Sequence, residues 1–413
     1  ESRGHFDFMP AVKTKGLFAL LLRHKRELVN YMAYLRKDYP ISTSPYMVDR
    51  ASQVLYPTTR FVARIRPVAW VLKHWGLSRV FDLLERAIPP DRAVCKQVAA
   101  LRPDVLIASP FIFSRSEETE FVKCANRLGI PTAAVIFSWD NLTSKGVFQI
   151  LPDAVLVWNR RQVKELEEIH GVPADRAICT GAPSLDFWFD QKSFLDRETF
   201  CNQYGIPADR PFVVYLCSSQ TIAPDENVFV AEMVSCLREK LGQAMPTILI
   251  RPHPLNLAIW EGFNEPDTVV VPKNNRDIFY SQEARALFFD TFRHGLCVLG
   301  LNTTAMVESS IVDKPCISMI APRYASTQER SGHFHHLTDA GILQTVRSLD
   351  ELSDGVRQAL RGEDPTGPAR RAFVREFVRP CGLDIPASEI MASVLGALAA
   401  GRKPSEIKQP CVE

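Results

Sequence analysis

The sequence predicts an α/β protein built as two parallel-sheet domains behind a helical N-terminal region. Three observations carry that prediction. From about Val105 onward, short β-branched runs alternate with amphipathic helical stretches, the pattern of a parallel sheet covered by helices. The chain has 413 residues, and at roughly 150 residues per domain this gives two domains, each able to bury its own core. Apolar residues make up 46% and charged residues 23%, a composition that excludes disordered and collagenous classes.

The first domain covers 1–190. Its strands are expected at 104–109, 132–137, 154–158 and 177–181, with a helix at 117–130 that sets Phe121, Cys124 and Leu128 on one face. No opening strand with a glycine-containing turn precedes them, and the first hundred residues read as long helices, one at 16–37. The polar stretch 190–210 reads as a linker. The second domain, 211–380, has strands at 211–219, 247–252, 268–272, 296–300 and 315–320, with helices at 228–241 and from near Thr303. In 381–413 a small-residue helix at 388–400 is expected to pack back across the first domain, followed by a tail. A central cleft between the domains is the natural place for function.

Charge narrows the partners. Lys and Arg number 49 against 47 Asp and Glu, a net charge of +2, so no nucleic acid is expected. No stretch reaches the roughly 18–20 apolar residues of a membrane span. Seven cations (Lys13, Lys15, Arg23, Lys25, Arg26, Arg36, Lys37) crowd 10–40 beside the apolar 17–22. They read either as the solvated face of a core helix or as a contact with an anionic membrane face. The ten cysteines are scattered singly and read as reduced thiols of a cytoplasmic protein, not as a disulfide frame or zinc site.

Candidate chemistry gathers at strand ends. A buried strand runs into Arg251, Pro252, His253 and Pro254. Ligands bind at the carboxyl ends of parallel strands, and an arginine fork with an imidazole suits a phosphate oxygen. The turn Gly300-Leu-Asn-Thr-Thr-Ala-Met-Val-Glu308 offers Asn302 and Thr303 as helix caps, with Thr304 beside them and backbone N–H groups facing an anion. Glu308, one turn in, suits ribose hydroxyls or merely complements the helix dipole. Ser218 and Ser219 follow the first strand of the second domain, as turn residues often do. Neither glycine-rich nucleotide fingerprint occurs, which argues against a dinucleotide oxidoreductase or a P-loop enzyme.

In the first domain a strand runs into Ser138-Trp-Asp-Asn-Leu-Thr-Ser-Lys-Gly146. Asp140 beside Trp139 reads as a general base in a water-excluding setting, or as the start of an Asx-turn. Trp139, Asn141 and Lys145 are acceptor-side candidates. The segment His333-Phe-His-His336 lacks a third ligand at recognisable spacing, so His333 and His335 read as cleft-lining residues and no metal is expected.

Together SWDNLTSKG, VLVWN, TGAPSLDFW, YLCSS, IRPHP, GLNTTAMVE and HFHHL resemble the GT-B glycosyltransferase superfamily. The resemblance is to its bacterial branch near the CDP-glycerol glycerophosphotransferases and surface-polysaccharide transferases, and it spans about 104–352. It implies two Rossmann-like domains, the first on the acceptor side and the second holding a nucleotide-activated donor. Arg251, His253, Ser219, Thr303 and Thr304 would meet the diphosphate and Glu308 the ribose, with Ser218 and Asn302 alongside. Asp140 and His253 are the catalytic candidates. The implied reaction moves a sugar or alditol-phosphate from a nucleotide-sugar or CDP-alditol to a hydroxyl of a cell-surface glycan or lipid-linked acceptor. It needs no cofactor and takes place in the cytoplasm or at the cytoplasmic face of the inner membrane. Two departures keep rivals open. The missing opening strand suits a non-catalytic scaffold, and a UDP-sugar 2-epimerase-like enzyme stands second because its serine-glycine-glycine turn is absent.

Overall fold

The computed structural model describes residues 7–35, 48, 51–53, 55–65, 67–68, 70, 77–113, 116–271, 281–408 and 410–411. The chain divides into two compact units, with boundaries between Gly181 and Ala182 and between Pro386 and Ala387, so that the C-terminal segment returns to unit 1. Strands β1 to β4 (Leu106–Ala108, Thr132–Val135, Ala154–Val157, Ala177–Cys179) belong to unit 1. Strands β5 to β10 (Phe212–Leu216, Thr247–Arg251, Thr268–Val270, Val298–Gly300, Cys316–Met319, Leu343–Val346) belong to unit 2. The helices used below are α1 Leu17–Leu35, α2 Pro57–Arg64, α3 Leu77–Ala87, α4 Glu118–Leu128, α5 Glu226–Leu241, α6 Gln282–His294, α7 Ala305–Ile311 and α8 Ala387–Ala399.

In unit 1 the strands lie side by side in the order β1-β2-β3-β4, all parallel. Among the described residues no strand precedes Leu106. Side chains alternate between the two faces of a strand. Ala134 and Val155 therefore join Val122 of α4 on one side, while Ala133, Ala154, Leu156 and Ile178 pack against Val394 and Leu398 of α8 on the other. The helical N-terminal region is not held by apolar packing alone. Lys25 and Arg26 of α1 lie buried against Glu85 of α3, at 2.9 and 2.6 Å, and Lys123 of α4 reaches the same carboxylate at 3.0 Å. Arg26 also pairs with Glu120. This corrects the reading of the basic run as a solvated face: its central residues form a buried ion cluster, and Arg23 pairs with Glu117 at 2.6 Å. Arg36 and Lys37 lie outside the described residues.

Cys95 and Cys124 form a disulfide, which corrects the expectation of ten reduced thiols. The helix Arg92–Leu101 packs against α4, and Val94, Val98 and Cys124 share one cluster. That packing brings together two cysteines 29 residues apart, a proximity no spacing motif encodes.

Unit 2 contains one six-stranded parallel sheet in the order β10-β9-β8-β5-β6-β7. From β5 the chain steps outward through β6 to β7, then returns to the other side of β5 with β8. This reversal puts a crevice at the carboxyl end of the central strand. The expected linker at 190–210 is instead part of this unit. It contains the helices Asp186–Asp190 and Arg197–Tyr204. Between them the backbone N–H groups of Phe194 and Leu195 and the Ser193 hydroxyl donate to the buried Asp290 carboxylate. Arg197 lies over the Phe212 ring, so its charge is used internally.

Candidate functional site

Strands β6 and β8 flank β5 in register, with Leu216 opposite both Arg251 and Gly300. Their carboxyl ends therefore open on the same edge. There a cavity of about 310 Å³ is lined by Leu216, Cys217, Arg251, Pro252, His253, Pro254, Phe288, Thr303, Thr304, Ala305 and Glu308. Five of the residues named from the sequence, Arg251, His253, Thr303, Thr304 and Glu308, thus share one pocket. Gly300 makes the approach possible: a Cβ there would sit 2.9 Å from the Leu216 carbonyl oxygen and 3.0 Å from Met306 Cε.

The pocket's charge is uncompensated. The Arg251 guanidinium stands 4.7 Å over the Phe288 ring, and no carboxylate among the described residues pairs with it. Burial lowers its pKa to about 10, partly offset by Tyr204 and Cys217, so it stays cationic and lacks a counter-ion. His253 is pushed down to about 4 by burial and is neutral near pH 7. Its Nδ1 accepts the Leu255 N–H at 3.1 Å, which leaves the ring proton on Nε2. The imidazole is therefore a donor and not a base. Glu308 is raised to about 7 by burial, against the hydrogen bond from Trp188 that favours its ionised form. A cation, a neutral N–H donor and two threonine hydroxyls in a crevice of this size suit a phosphate or diphosphate.

The remaining donor-side candidates do other work. Ser218 is fully buried. Its N–H donates to Glu226 at 2.7 Å, and Tyr215 Oη donates to the same carboxyl at 3.0 Å. Burial raises Glu226 to about 8 despite those bonds, which makes it a protonated brace under the β5 turn. Ser219 bonds to the Thr221 hydroxyl at 2.9 Å, and neither serine lines the cavity. Asn302 is buried and donates to the Thr327 carbonyl at 2.9 Å and to His333 Nε2 at 3.2 Å, while its own N–H reaches Ser218 Oγ. It ties three turns together and is not a cap. The N-cap of α7 is Thr304, without a side-chain cap bond, because the turn after β8 runs longer than the sequence suggests. His335 is exposed, with Nδ1 3.7 Å from Asp339.

In unit 1 the loop after β2 folds on itself. Asn141 Oδ1 accepts the Ser138 N–H, and Asp140 accepts hydroxyls from Ser138 at 2.7 Å and Ser144 at 2.9 Å. Lys145 pairs with Asp140 at 3.1 Å. Trp139 and Asn141 are buried, at 2% and 3% exposure, so they serve the core and the turn. Asp140 thus sits in a ring of donors, not in the aromatic setting expected of a general base.

Sequence reasoning missed Phe288, Trp188, Tyr204 and Glu226. The first three are aromatic residues within or beside helices, which read as core, and no spacing signal separates a ring under an arginine from a ring in a core. Arg251 and Tyr204 also border a second cavity of about 800 Å³, with Phe263 and Asn264 on its wall.

Two parallel-sheet units of this kind, the second with its crevice at the reversal of strand order, define an α/β protein of the GT-B fold. Two solved structures with a TM-score of 0.50 share that fold. A candidate UDP-N-acetylglucosamine 2-epimerase from Listeria monocytogenes is 13% identical with a TM-score of 0.50, over 76% of this chain and 80% of that one. The S. aureus protein MnaA, solved with UDP, is 10% identical with a TM-score of 0.50, over 81% and 84%. The wall teichoic acid polymerase TagF, solved with CDPG, is 14% identical with a TM-score of 0.40, over 60% of this chain and 59% of that one. No protein-family model and no curated protein sequence matches the chain.

Proposed function

We propose that the protein is a nucleotide-dependent transferase that moves a sugar or alditol-phosphate to a hydroxyl of a cell-envelope glycan or lipid-linked acceptor. One observation supports this above the others: Arg251, without an acidic partner among the described residues, shares a pocket with His253, Thr303, Thr304 and Glu308 at the reversal point of the unit 2 sheet. Charge develops on the leaving nucleotide as the bond to the transferred group breaks. A preorganised cation and N–H donors at that position lower the barrier. His253, with its proton on Nε2, donates to a phosphate oxygen, and Glu308 takes ribose hydroxyls. On the acceptor side Asp140 with Lys145 is assigned to positioning the acceptor, since Ser138, Asn141, Ser144 and Lys145 already donate to its carboxylate. A lipid-linked acceptor would place the reaction at a membrane face.

Calorimetric titration with CDP-glycerol and with UDP-, GDP- and TDP-sugars tests the reading. The expected outcome is binding of one base class in the micromolar range and a loss of about 10- to 100-fold with Arg251→Ala, the worth of one or two charge-assisted hydrogen bonds. Absence of binding across the panel, or binding indifferent to Arg251→Ala, favours a scaffold. A 2-epimerase is the second reading, favoured by the fold likeness to the Listeria protein. It predicts a changed sugar when UDP-N-acetylglucosamine is incubated without an acceptor.

A further inference from the structure

The N-terminal helices of unit 1 are inverted. A helix on a soluble surface buries its apolar stripe and exposes its charges. In α3 the reverse holds: Glu85 is 0% exposed, while Val80, Leu83 and Leu84, on one face at i, i+3 and i+4, are 51%, 67% and 43% exposed. The N-terminal half of helix α1 repeats the pattern, with Lys25 and Arg26 buried and Leu17, Phe18 and Leu21 exposed, while its C-terminal half buries Val29, Met32 and Ala33. Phe61 and Val62 of α2 also face solvent. The three helices form one packed group, with Met32 of α1, Ala63 of α2 and Phe81 of α3 in a single cluster. The inversion follows from the ion cluster, which turns the charged faces inward against one another. Something apolar must cover the faces left outside.

Charge selects what covers them. Exposed cations Lys13, Lys15, Arg64 and Arg86 accompany these helices, against exposed Asp7 and Asp82 among the described residues of 7–88. A second copy would bring the same cations face to face and be repelled. An anionic lipid surface accepts both the apolar stripes and the cations. No helix among the described residues is long and apolar enough to cross a membrane, so the contact lies in the interface.

We propose that α1, α2 and α3 dock unit 1 on an anionic phospholipid surface. This deepens the reading of a lipid-linked acceptor and rests on it for its purpose, but vesicle binding is measured without donor, so the two fail separately. The test is flotation of the whole chain with vesicles of phosphatidylglycerol and phosphatidylcholine in equal parts, against phosphatidylcholine alone. Two variant pairs at exposed positions are compared, Leu83→Gln with Leu84→Gln and Lys13→Glu with Lys15→Glu, with thermal melting to check that each stays folded. The parent chain is expected to float with the anionic vesicles only. Each pair should cut the bound fraction at least about fivefold, at about 1 kcal/mol per cation near the surface. Three results would overturn the proposal: a parent chain that stays unbound, variants that float like the parent, or a dimer that the leucine pair dissolves while vesicles are ignored. A nucleotide titration on the same variants should be unchanged. Loss of nucleotide binding in the parent chain would count against the transferase reading alone.

Discussion

Arg251 is the residue on which the site turns, because it is a cation held over an aromatic ring with no carboxylate beside it. Replacing it with lysine keeps the charge but removes the planar fork and the stacking on Phe288. Arg251→Lys should therefore recover only part of the affinity lost in Arg251→Ala, as read by calorimetry. Glu308 gives the site a pH dependence. Burial raises it to about 7, so it is largely protonated below that pH and a carboxylate above it. A diphosphate in the same pocket is repelled by the carboxylate, and its Kd should rise as pH increases through 7, flattening in Glu308→Gln. A dependence of the opposite sign would mean that the stronger bonds an ionised Glu308 accepts from ribose hydroxyls outweigh that repulsion. At this scale the sequence revealed the polar residues and hid the apolar ones. Arg251 and His253 are legible because a buried strand runs into Arg-Pro-His-Pro, a fixed presentation at a strand end. Phe288 and Trp188 are not, since their spacing matches ordinary core positions.

The elements that hold the pocket are short strands in tight contact, and two substitutions probe them. Gly300→Ala would put a methyl group 2.9 Å from the Leu216 carbonyl oxygen. Strands β8 and β5 must then separate, at a cost of about 1–3 kcal/mol, measurable by urea denaturation and accompanied by weaker nucleotide binding. Glu226 lies beneath the β5 turn and is raised to about 8 by burial. Its folded pKa exceeds the unfolded one, so its stabilising effect is fully present in acid and is lost as pH rises toward 8. Glu226→Gln, an uncharged isostere, should flatten most of that slope in urea midpoints taken across this range, with Glu308 supplying a smaller remainder of the same sign up to about 7. Strand ends were legible where apolar runs met turns, and the nine expected strands coincide with β1 to β9. Strand β10, Leu343-Gln-Thr-Val346, escaped because its two middle residues are polar, Gln344 half-buried and Thr345 exposed, leaving too short an apolar pattern for an edge strand. The stretch 190–210 misled because its polar groups are used inside unit 2: Ser193, Phe194 and Leu195 donate to Asp290, and Arg197 meets the His294 carbonyl and the Phe212 ring.

At the scale of the whole molecule the two units are built on different physics and should answer pH in opposite directions. Unit 1 depends on Glu85. Burial disfavours its charge, but Arg26, Lys25 and Lys123 outweigh that and bring its pKa to about 2. Its folded pKa lies below the unfolded one, so this stability is complete above about 4.5 and disappears as pH falls toward 2. Glu85→Ala removes the carboxylate shared by three buried cations, leaves Lys25 without its ion-pair partner and Arg26 and Lys123 with Glu120 alone, and should cost about 3–5 kcal/mol, seen by hydrogen exchange as earlier opening of α1, α3 and α4. Unit 2, with its raised carboxyls, weakens instead on the alkaline side. The alternation of strands and helices made the two-unit plan legible, whereas the inverted N-terminal helices were not, because charges at helical spacing look the same whether they face water or one another. The crevice at the reversal of the unit 2 sheet is proposed to grip a nucleotide's diphosphate. A crystal structure with the nucleoside diphosphate selected by titration tests it most directly. Phosphate oxygens are expected within hydrogen-bond distance of the Arg251 guanidinium, His253 Nε2 and the Thr303 or Thr304 hydroxyl. A nucleotide bound elsewhere, with this crevice holding only water, would contradict it.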